Sequence, residues 1–329
     1  MTLETVILQH FRNYDAQRFE FSSEVTMIVA PNAAGKTNIL EAIFLLATGK
    51  SFRADRDIEM IQWKNEFGRV KATIGDTTLE VLITQSKKYL LNGIARRQID
   101  FVGNLRAVLF WPEHLALVTD SPSVRRRYLD SVLVQVDREY RRNLLSYERG
   151  LRQRNRLLDL INEGKASRNQ LIFWNQLLIK SAAYITDSRT AFIDFINTYQ
   201  LTKSQNNKLT YDKSIISQSR LEQYKDEEVA AKATLVGPHR DDITFLLDDR
   251  SLASFGSRGQ QRMAILWLKL AELSFIQTKS GERPILLLDD IFSELDETHK
   301  KLVMDVIGRQ QTIITSANPM RVNAVVIEL

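Results

Sequence analysis

Hydrophobic and polar positions change their period three times along the chain. TVILQHF (5–11) alternates, QRFEF (17–21) puts Phe19 and Phe21 on one face, and EVTMIVA (24–30) is a continuous β-branched run. Two pairing strands and a buried strand are predicted. KTNILEAIFLLATG (36–49) then has helical spacing and stops at Gly49. Residues 68–110 return to β character, with turns marked by Gly75-Asp76 and Asn92-Gly93, the second a hairpin cue.

After Pro122 the period lengthens. Leu129, Val132, Val136, Tyr140 and Leu144 fall at helical spacing, and the pattern runs through Leu151 and Leu158 to NEGKAS (162–167). It predicts one helix from Pro122 to about Gly164, on the order of 60 Å long at about 1.5 Å per residue. The helical run 168–200 turns back to make a hairpin arm. From about residue 235, DDITFLLDD, RPILLLDD and QTIITSA alternate with a helical stretch, which predicts a parallel sheet covered on both faces. The expected organisation is an α/β head of 1–121 and 231–329, with a mostly helical arm, 122–230, inserted into it.

Composition narrows the class. The 329 residues, 44% of them hydrophobic, suffice for one large or two modest domains. No apolar run reaches the roughly 18 residues of a membrane span. The chain has no cysteine, which excludes disulfides and thiolate metal sites. A soluble cytoplasmic protein is expected. The net charge of +5 is unevenly placed: residues 121–170 carry twelve Lys/Arg against six Asp/Glu. A basic stripe of this kind suits a polyanion or a solvated helix face.

APNAAGKT (30–37), between a buried strand and a helix, has the context of a phosphate loop. The loop Ala30, Pro31, Asn32, Ala33, Ala34 and Gly35 and the helix start through Lys36, Thr37 and Asn38 would cradle the phosphates of ATP with the backbone N–H groups of the residues other than proline. Lys36 would reach the β- and γ-phosphates, and Thr37 would ligate Mg²⁺. Ala30 stands where the first glycine of the motif usually falls, so its φ must suit alanine. PILLLDD ends a strand in two acids: Asp289 would hold Mg²⁺ through water, and Asp290 would orient or deprotonate the attacking water. Asp290 is one methylene shorter than the glutamate more usual there, so slow turnover is expected.

GSRGQQ (256–261) resembles the signature of ABC-type ATPases. In that class two heads pair head-to-tail, and each signature closes over the nucleotide of the other. The resemblance implies phosphate contacts from Ser257 and from the N–H groups near Gly259, with Gln260 beginning the helix. SELD (293–296) is similar to the D-loop of such dimers, with Asp296 facing the partner. The segments LQHFRNY, GKTNILEAIFLLATGKSFRADRD, FWPEHLALVTDSPSVRRRYLD, GPHRDD, FGSRGQQR and LLLDDIFSELD, spanning 8–296, resemble in content and order those of the RecF family of SMC-like ATPases.

That resemblance implies an ABC-type ATPase head, in which a phosphate-loop sheet flanked by helices joins an antiparallel β subdomain and a helical arm. It implies an ATP-dependent homodimer that clamps double-stranded DNA near single-strand gaps and works with RecR, often with RecO, to load RecA. The alternative is a nucleotide-gated binding module with negligible turnover. Arg12 and Asn13 would lie near the nucleotide base or phosphates, and Glu113 where other heads carry the Q-loop glutamine. No histidine follows QTIIT, so Thr315 or Ser316 would take the place of a γ-phosphate sensor. Arg138, Arg141, Arg142, Arg149, Arg152, Arg154 and Arg156 are candidates for DNA phosphates. Arg125, Arg126 and Arg127 either join them or pin the arm through acids such as Asp130 or Glu113.

Overall fold

The computed structural model describes residues 2–200, 206–293 and 297–329. They pack as two compact units, one up to residue 115 together with 262–329, the other 116–261. The first unit contains two sheets. One is five-stranded and wholly parallel, in the order Val325–Glu328, Val25–Val29, Thr312–Ser316, Ile285–Asp289, Ala107–Phe110. VTMIV and ILLLD are buried at every position, as apolar runs in a sheet covered on both faces should be. Helix Lys36–Thr48 packs on this sheet and ends where Gly49, at φ 74°, returns its N–H to the Leu45 carbonyl at 2.8 Å.

The other sheet is six-stranded and antiparallel, in the order Tyr14–Glu20, Thr5–Phe11, Gly68–Ile74, Thr77–Ile83, Lys87–Leu91, Ile94–Arg96. Its inner face is read off at period two: Val6 and Leu8, Val70 and Ala72, then Leu79, Val81 and Ile83 are buried. Asn92 (φ 52°) and Gly93 (φ 76°) both take positive φ, the pair that a tight two-residue hairpin requires.

In the second unit, helices Pro122–Val136, Arg138–Asn162 and Leu171–Thr198 accompany an antiparallel sheet of Arg250–Ser251, Asp242–Leu247 and Asn207–Asp212. The single helix expected from Pro122 to Gly164 is therefore two. Asp137 breaks it at φ −130°, ψ 106°, caps the next helix by accepting the Tyr140 N–H at 2.9 Å, and takes the Tyr184 hydroxyl at 2.9 Å. A Cβ on Gly150 would lie 3.2 Å from Leu177 and Leu178, so this glycine permits the two long helices to approach closely. DDITFLLDD, expected in the parallel sheet, pairs antiparallel instead. Residues 231–261 pack with the helical unit, where the sequence pattern assigned them to the head.

Buried charge holds this unit together. Arg125 makes a bidentate pair with Asp242 (2.6 and 2.9 Å), and Arg126 donates to the Asp241 carbonyl at 2.8 Å. Arg125 and Arg126 thus engage Asp242 and Asp241 where Asp130 or Glu113 was expected. Arg189 bridges Asp130 and Asp241, each at 2.9 Å. Arg154, only 2% exposed, is spent on Glu228, Thr234 and Asn175, which removes it from any DNA surface.

His239 lies between the Tyr147 hydroxyl (2.7 Å to Nδ1) and the Thr234 carbonyl (2.9 Å to Nε2). Burial pushes its pKa down from 6.5 to about 4, although the bond to Thr234 favours the proton. Below pH 6.5 the unfolded chain therefore binds a proton that the folded chain refuses, and stability falls as pH falls until it levels near pH 4. The expected loss at pH 5 is about 2 kcal/mol. Urea midpoints between pH 7.5 and 5 should show this slope in the wild type and a shallower one in His239→Gln.

Candidate nucleotide-binding site

The buried strand Val25–Val29 delivers the chain into the loop 30–35, where the helix Lys36–Thr48 begins. Positive φ at Ala33 (68°) and Gly35 (109°) curls the loop ahead of the helix start, where the N–H groups of Ala34 and Asn38 bond the carbonyls of Pro31 (3.3 Å) and Gly35 (2.9 Å) and that of Ala30 bonds the carbonyl of Ser316 (3.3 Å). Ala30 is absent from the positive-φ residues, so alanine fits where the motif usually has glycine. The Lys36 ammonium donates to the carbonyls of Ala30 (2.6 Å) and Pro31 (3.0 Å) and closes the loop on itself. An added Cβ on Gly35 would meet Asn13 Nδ2 at 2.6 Å and the Tyr14 hydroxyl at 2.9 Å, so the position is sterically closed to other residues.

Asn13 and Tyr14 come from the hairpin turn of the antiparallel sheet. Asn13 Nδ2 donates to the Ala34 carbonyl (3.1 Å), Asn38 donates to Asn13 Oδ1 (2.6 Å), and the Tyr14 hydroxyl donates to the Gly35 carbonyl (3.2 Å). Burial raises the Tyr14 pKa to about 12 and keeps that donor protonated. Arg12, at φ 55°, is pinned to Glu41 on the phosphate-loop helix through Nε at 2.8 Å and a terminal nitrogen at 2.5 Å. Arg53 takes the same carboxylate at 3.0 and 2.7 Å and also donates to Asn38, while Ser51 donates to it at 2.6 Å. Glu41 is fully buried; burial alone would raise its pKa, but the bonds from Arg12, Arg53 and Ser51 outweigh it and hold the carboxyl below its ordinary range. Glu41 and Arg53 were not singled out in the sequence. Glutamate five residues beyond a phosphate-loop lysine reads as an ordinary helix residue until its partners are seen.

Asp289 stands where the apolar strand ends. Its Oδ2 accepts the Thr37 hydroxyl at 2.8 Å and its Oδ1 the Thr315 hydroxyl at 2.6 Å. Thr37 and Asp289 thus bring two hard oxygen donors together beside the phosphate-binding turn, a donor set that suits Mg²⁺ completed by phosphate oxygens and water. Asp290 takes φ 48° and donates its N–H to the Thr315 carbonyl (3.2 Å) and hydroxyl (3.1 Å). Thr315 is therefore committed to the two acids. Asp296 lies outside the described residues. Glu113 is exposed in the turn Pro112–Leu115.

The signature segment belongs to the second unit as far as Gln261. Helix Arg258–Ser280 starts two residues earlier than expected, with Ser257 before it and Gln260 in its first turn. Ser257 N–H donates to Gln260 Oε1 (2.8 Å), and Gln260 N–H to Ser257 Oγ (3.3 Å), a reciprocal capping box. Ser257 to Gln260 are all exposed, and a Cβ on Gly259 would touch nothing nearer than 4.0 Å. The turn offers open backbone to whatever meets it.

A parallel sheet with phosphate loop and terminal acids, an antiparallel β subdomain and a capped signature turn define an ABC-type ATPase head of the SMC class. The chain matches the model of the RecF/RecN/SMC N-terminal domain over residues 2–326. It is 38% identical to the DNA replication and repair protein RecF of Ligilactobacillus salivarius, over 96% of this chain and 91% of that one. The same protein of Halalkalibacterium halodurans is also 38% identical, over 97% and 93%. The chain belongs to the RecF family. Two solved structures of the recombination mediator protein RecF in the RecFOR pathway share 29% identity with it. The RecF-ATPrS structure superposes at TM-score 0.89, covering 99% of this chain and 95% of that one. The RecF-ATP structure superposes at 0.90, covering 98% and 93%. An Smc head bound to the C-winged helix domain of ScpA shares the fold at TM-score 0.52 and 16% identity, covering 97% and 90%.

Glu41→Gln would leave two guanidinium groups facing a buried amide. The expected cost is about 2–3 kcal/mol, since both arginines keep some solvent. Because its folded pKa is depressed, Glu41 contributes stability above its unfolded value of 4.5 and loses it as pH falls further. Urea midpoints at pH 7 and pH 3.5 should therefore differ less in the variant than in the wild type.

Proposed function

We propose that this chain is an ATP-dependent DNA-repair ATPase. Two copies pair head-to-tail on ATP, hold double-stranded DNA near single-strand gaps, and help load RecA together with RecR and RecO; slow hydrolysis releases the pair. The carrying observation is the presence of two phosphate-ready helix starts in one chain, at Lys36 and at Ser257, in separate compact units. The second is capped and exposed, and it serves the nucleotide of the other copy. The relatives solved as RecF-ATP and RecF-ATPrS support the nucleotide assignment.

In this reading the loop 30–35 and the N–H groups through Asn38 hold the phosphates, and Lys36 exchanges its carbonyl partners for phosphate oxygens. Thr37 and Asp289 would hold Mg²⁺, which would supply neutralisation of the charge on those oxygens. Asp290 orients the attacking water and accepts its proton as the water oxygen bonds to the γ-phosphorus and the bond to ADP breaks. Ser257 and the N–H groups near Gly259 and Gln260 of the other copy complete the phosphate shell. Arg12 and Asn13 brace the loop beside the nucleotide.

The DNA surface is the outer face of helix Arg138–Asn162. Arg138, Arg142, Arg149, Arg152 and Arg156 are all exposed there, opposite the buried Tyr140, Leu144, Tyr147 and Leu158. At helical rise the stripe runs about 27 Å, roughly eight base pairs of duplex.

Light scattering of Asp290→Asn protein should show monomer alone and dimer with Mg-ATP, and Ser257→Arg should abolish the dimer. A protein that binds ATP yet stays monomeric would overturn the head-to-tail reading. Dimerisation without measurable turnover, with or without DNA, would move the reading to a nucleotide-gated binding module. For the arm, Arg149→Glu with Arg152→Glu should weaken duplex binding and reduce the slope of log affinity against log salt by about 2.

A further inference from the structure

Among the described residues, the two most exposed large hydrophobic side chains are Trp63, at 85%, and Phe255, at 77%. Neither hangs on a loose segment. Phe255 precedes Gly256, whose N–H returns to the Leu252 carbonyl at 3.1 Å; the buried Gln261 side chain donates to the same oxygen at 2.9 Å. A Cβ on Gly256 would lie 2.7 Å from that oxygen, so the turn needs glycine. The capping box of Ser257 and Gln260 follows at once. Phe255 is thus held out two residues before Ser257, and any surface that meets Ser257 lies within reach of it.

Trp63 is fixed in the same way beside the other half of the nucleotide site. Gln62 N–H bonds the His10 carbonyl (2.8 Å), Arg12 N–H bonds the Met60 carbonyl (2.9 Å), and the Arg12 guanidinium bonds the Glu59 carbonyl (2.6 Å). This stitches 59–62 to the hairpin turn whose Asn13 and Tyr14 rest on Gly35. Ile58, 59% exposed, stands at the near end of the same segment.

A large aromatic ring gains nothing from water, and side chains of this kind supply the anchoring contacts of interfaces when a partner covers them. We propose that the two rings are halves of one contact between copies. When the signature turn of one copy closes over the nucleotide of another, Phe255 packs against Trp63 of that other copy, with Ile58 beside it. The inference rests on the head-to-tail dimer proposed above. The occupant is a second copy because a two-fold pair forms each such contact twice, residue i on j and j on i. A chain that flanks both halves of the nucleotide sandwich with an outward ring supplies both sides of the seam itself.

Asp290→Asn protein with Mg-ATP, followed by light scattering and sedimentation, is the parent for the test. Phe255→Ala and Trp63→Ala should each weaken ATP-dependent dimerisation by about tenfold or more. Binding of a fluorescent ATP analogue to the monomer should not change. Phe255→Glu and Trp63→Lys should each stay monomeric, whereas an equimolar mixture should dimerise, since the mixed pair has one native contact and one acid–base contact. Alanine variants that dimerise as tightly as the parent, or a charged mixture that stays monomeric, would overturn the contact while leaving the dimer intact. A parent that stays monomeric with Mg-ATP would remove the dimer and this contact together.

Discussion

One buried carboxylate, Asp289, joins the three elements that make the candidate nucleotide site. Its strand ends there after four buried apolar residues, and each oxygen is taken by a hydroxyl from a different neighbour. Thr37 carries the phosphate-loop helix, and Thr315 the adjacent parallel strand. A carboxylate buried in an apolar sheet is costly unless it is hydrogen-bonded, so the helix and both strands are locked in register by the need to satisfy it. Hydroxyl donors meet that need without cancelling the charge. Hydroxyl and carboxylate are also the oxygens a hard cation prefers, so the arrangement that secures the fold is the one that suits Mg²⁺.

The other buried charges do a different job. Glu41 faces two guanidinium groups, and Asp241 and Asp242 face Arg189 and Arg125. Each pair joins residues far apart in the chain. Apolar contacts tolerate sliding, whereas a bidentate pair is satisfied in one geometry. Glu41 therefore sets the angle at which the antiparallel hairpin leans on the phosphate loop. The pairs of RRRYLD with GPHRDD set the helix Pro122–Val136 against the strand Asp242–Leu247. These two motifs are scaffold within one unit. Arginine content alone would have assigned Arg125 and Arg154 to DNA, whereas burial removes them and leaves the outer stripe.

Local chemistry made much of this legible in the sequence. The runs VTMIV and ILLL, the stop at Gly49 and the turn at Asn92-Gly93 depend on neighbouring residues, and each occurs as its pattern implies. Features set by distant partners were not legible. Asp137 breaks a helix whose hydrophobic period runs on unbroken, because its carboxylate is claimed by Tyr140 and by Tyr184 from another helix. The strands Asn207–Asp212 and Val325–Glu328 were not read from the sequence; both are edge strands, the first short of apolar residues and the second a VVI run with none of its residues buried. The phosphate loop and the acid pair were readable as motifs. The braces that hold them, Glu41 with Arg53 and Thr315 with Asp289, are contacts that spacing cannot show.

Some of the backbone strain lies at those braces. Arg12, Ala33 and Asp290 all adopt positive φ without being glycine, and all three surround the phosphate loop and its acids. Each costs about 1 kcal/mol or more against relaxed backbone, so each needs a local bond that fixes it. Arg12 has the Glu41 pair and the Glu59 carbonyl; Asp290 has both oxygens of Thr315. Glycine at either position would relieve the backbone and lose the guanidinium or the carboxylate. Ala33 has no functional side chain, and its strain serves only to curl the loop ahead of the helix start. The loop is therefore fixed by its surroundings, which in the proposed reading limits the ordering that nucleotide binding must supply.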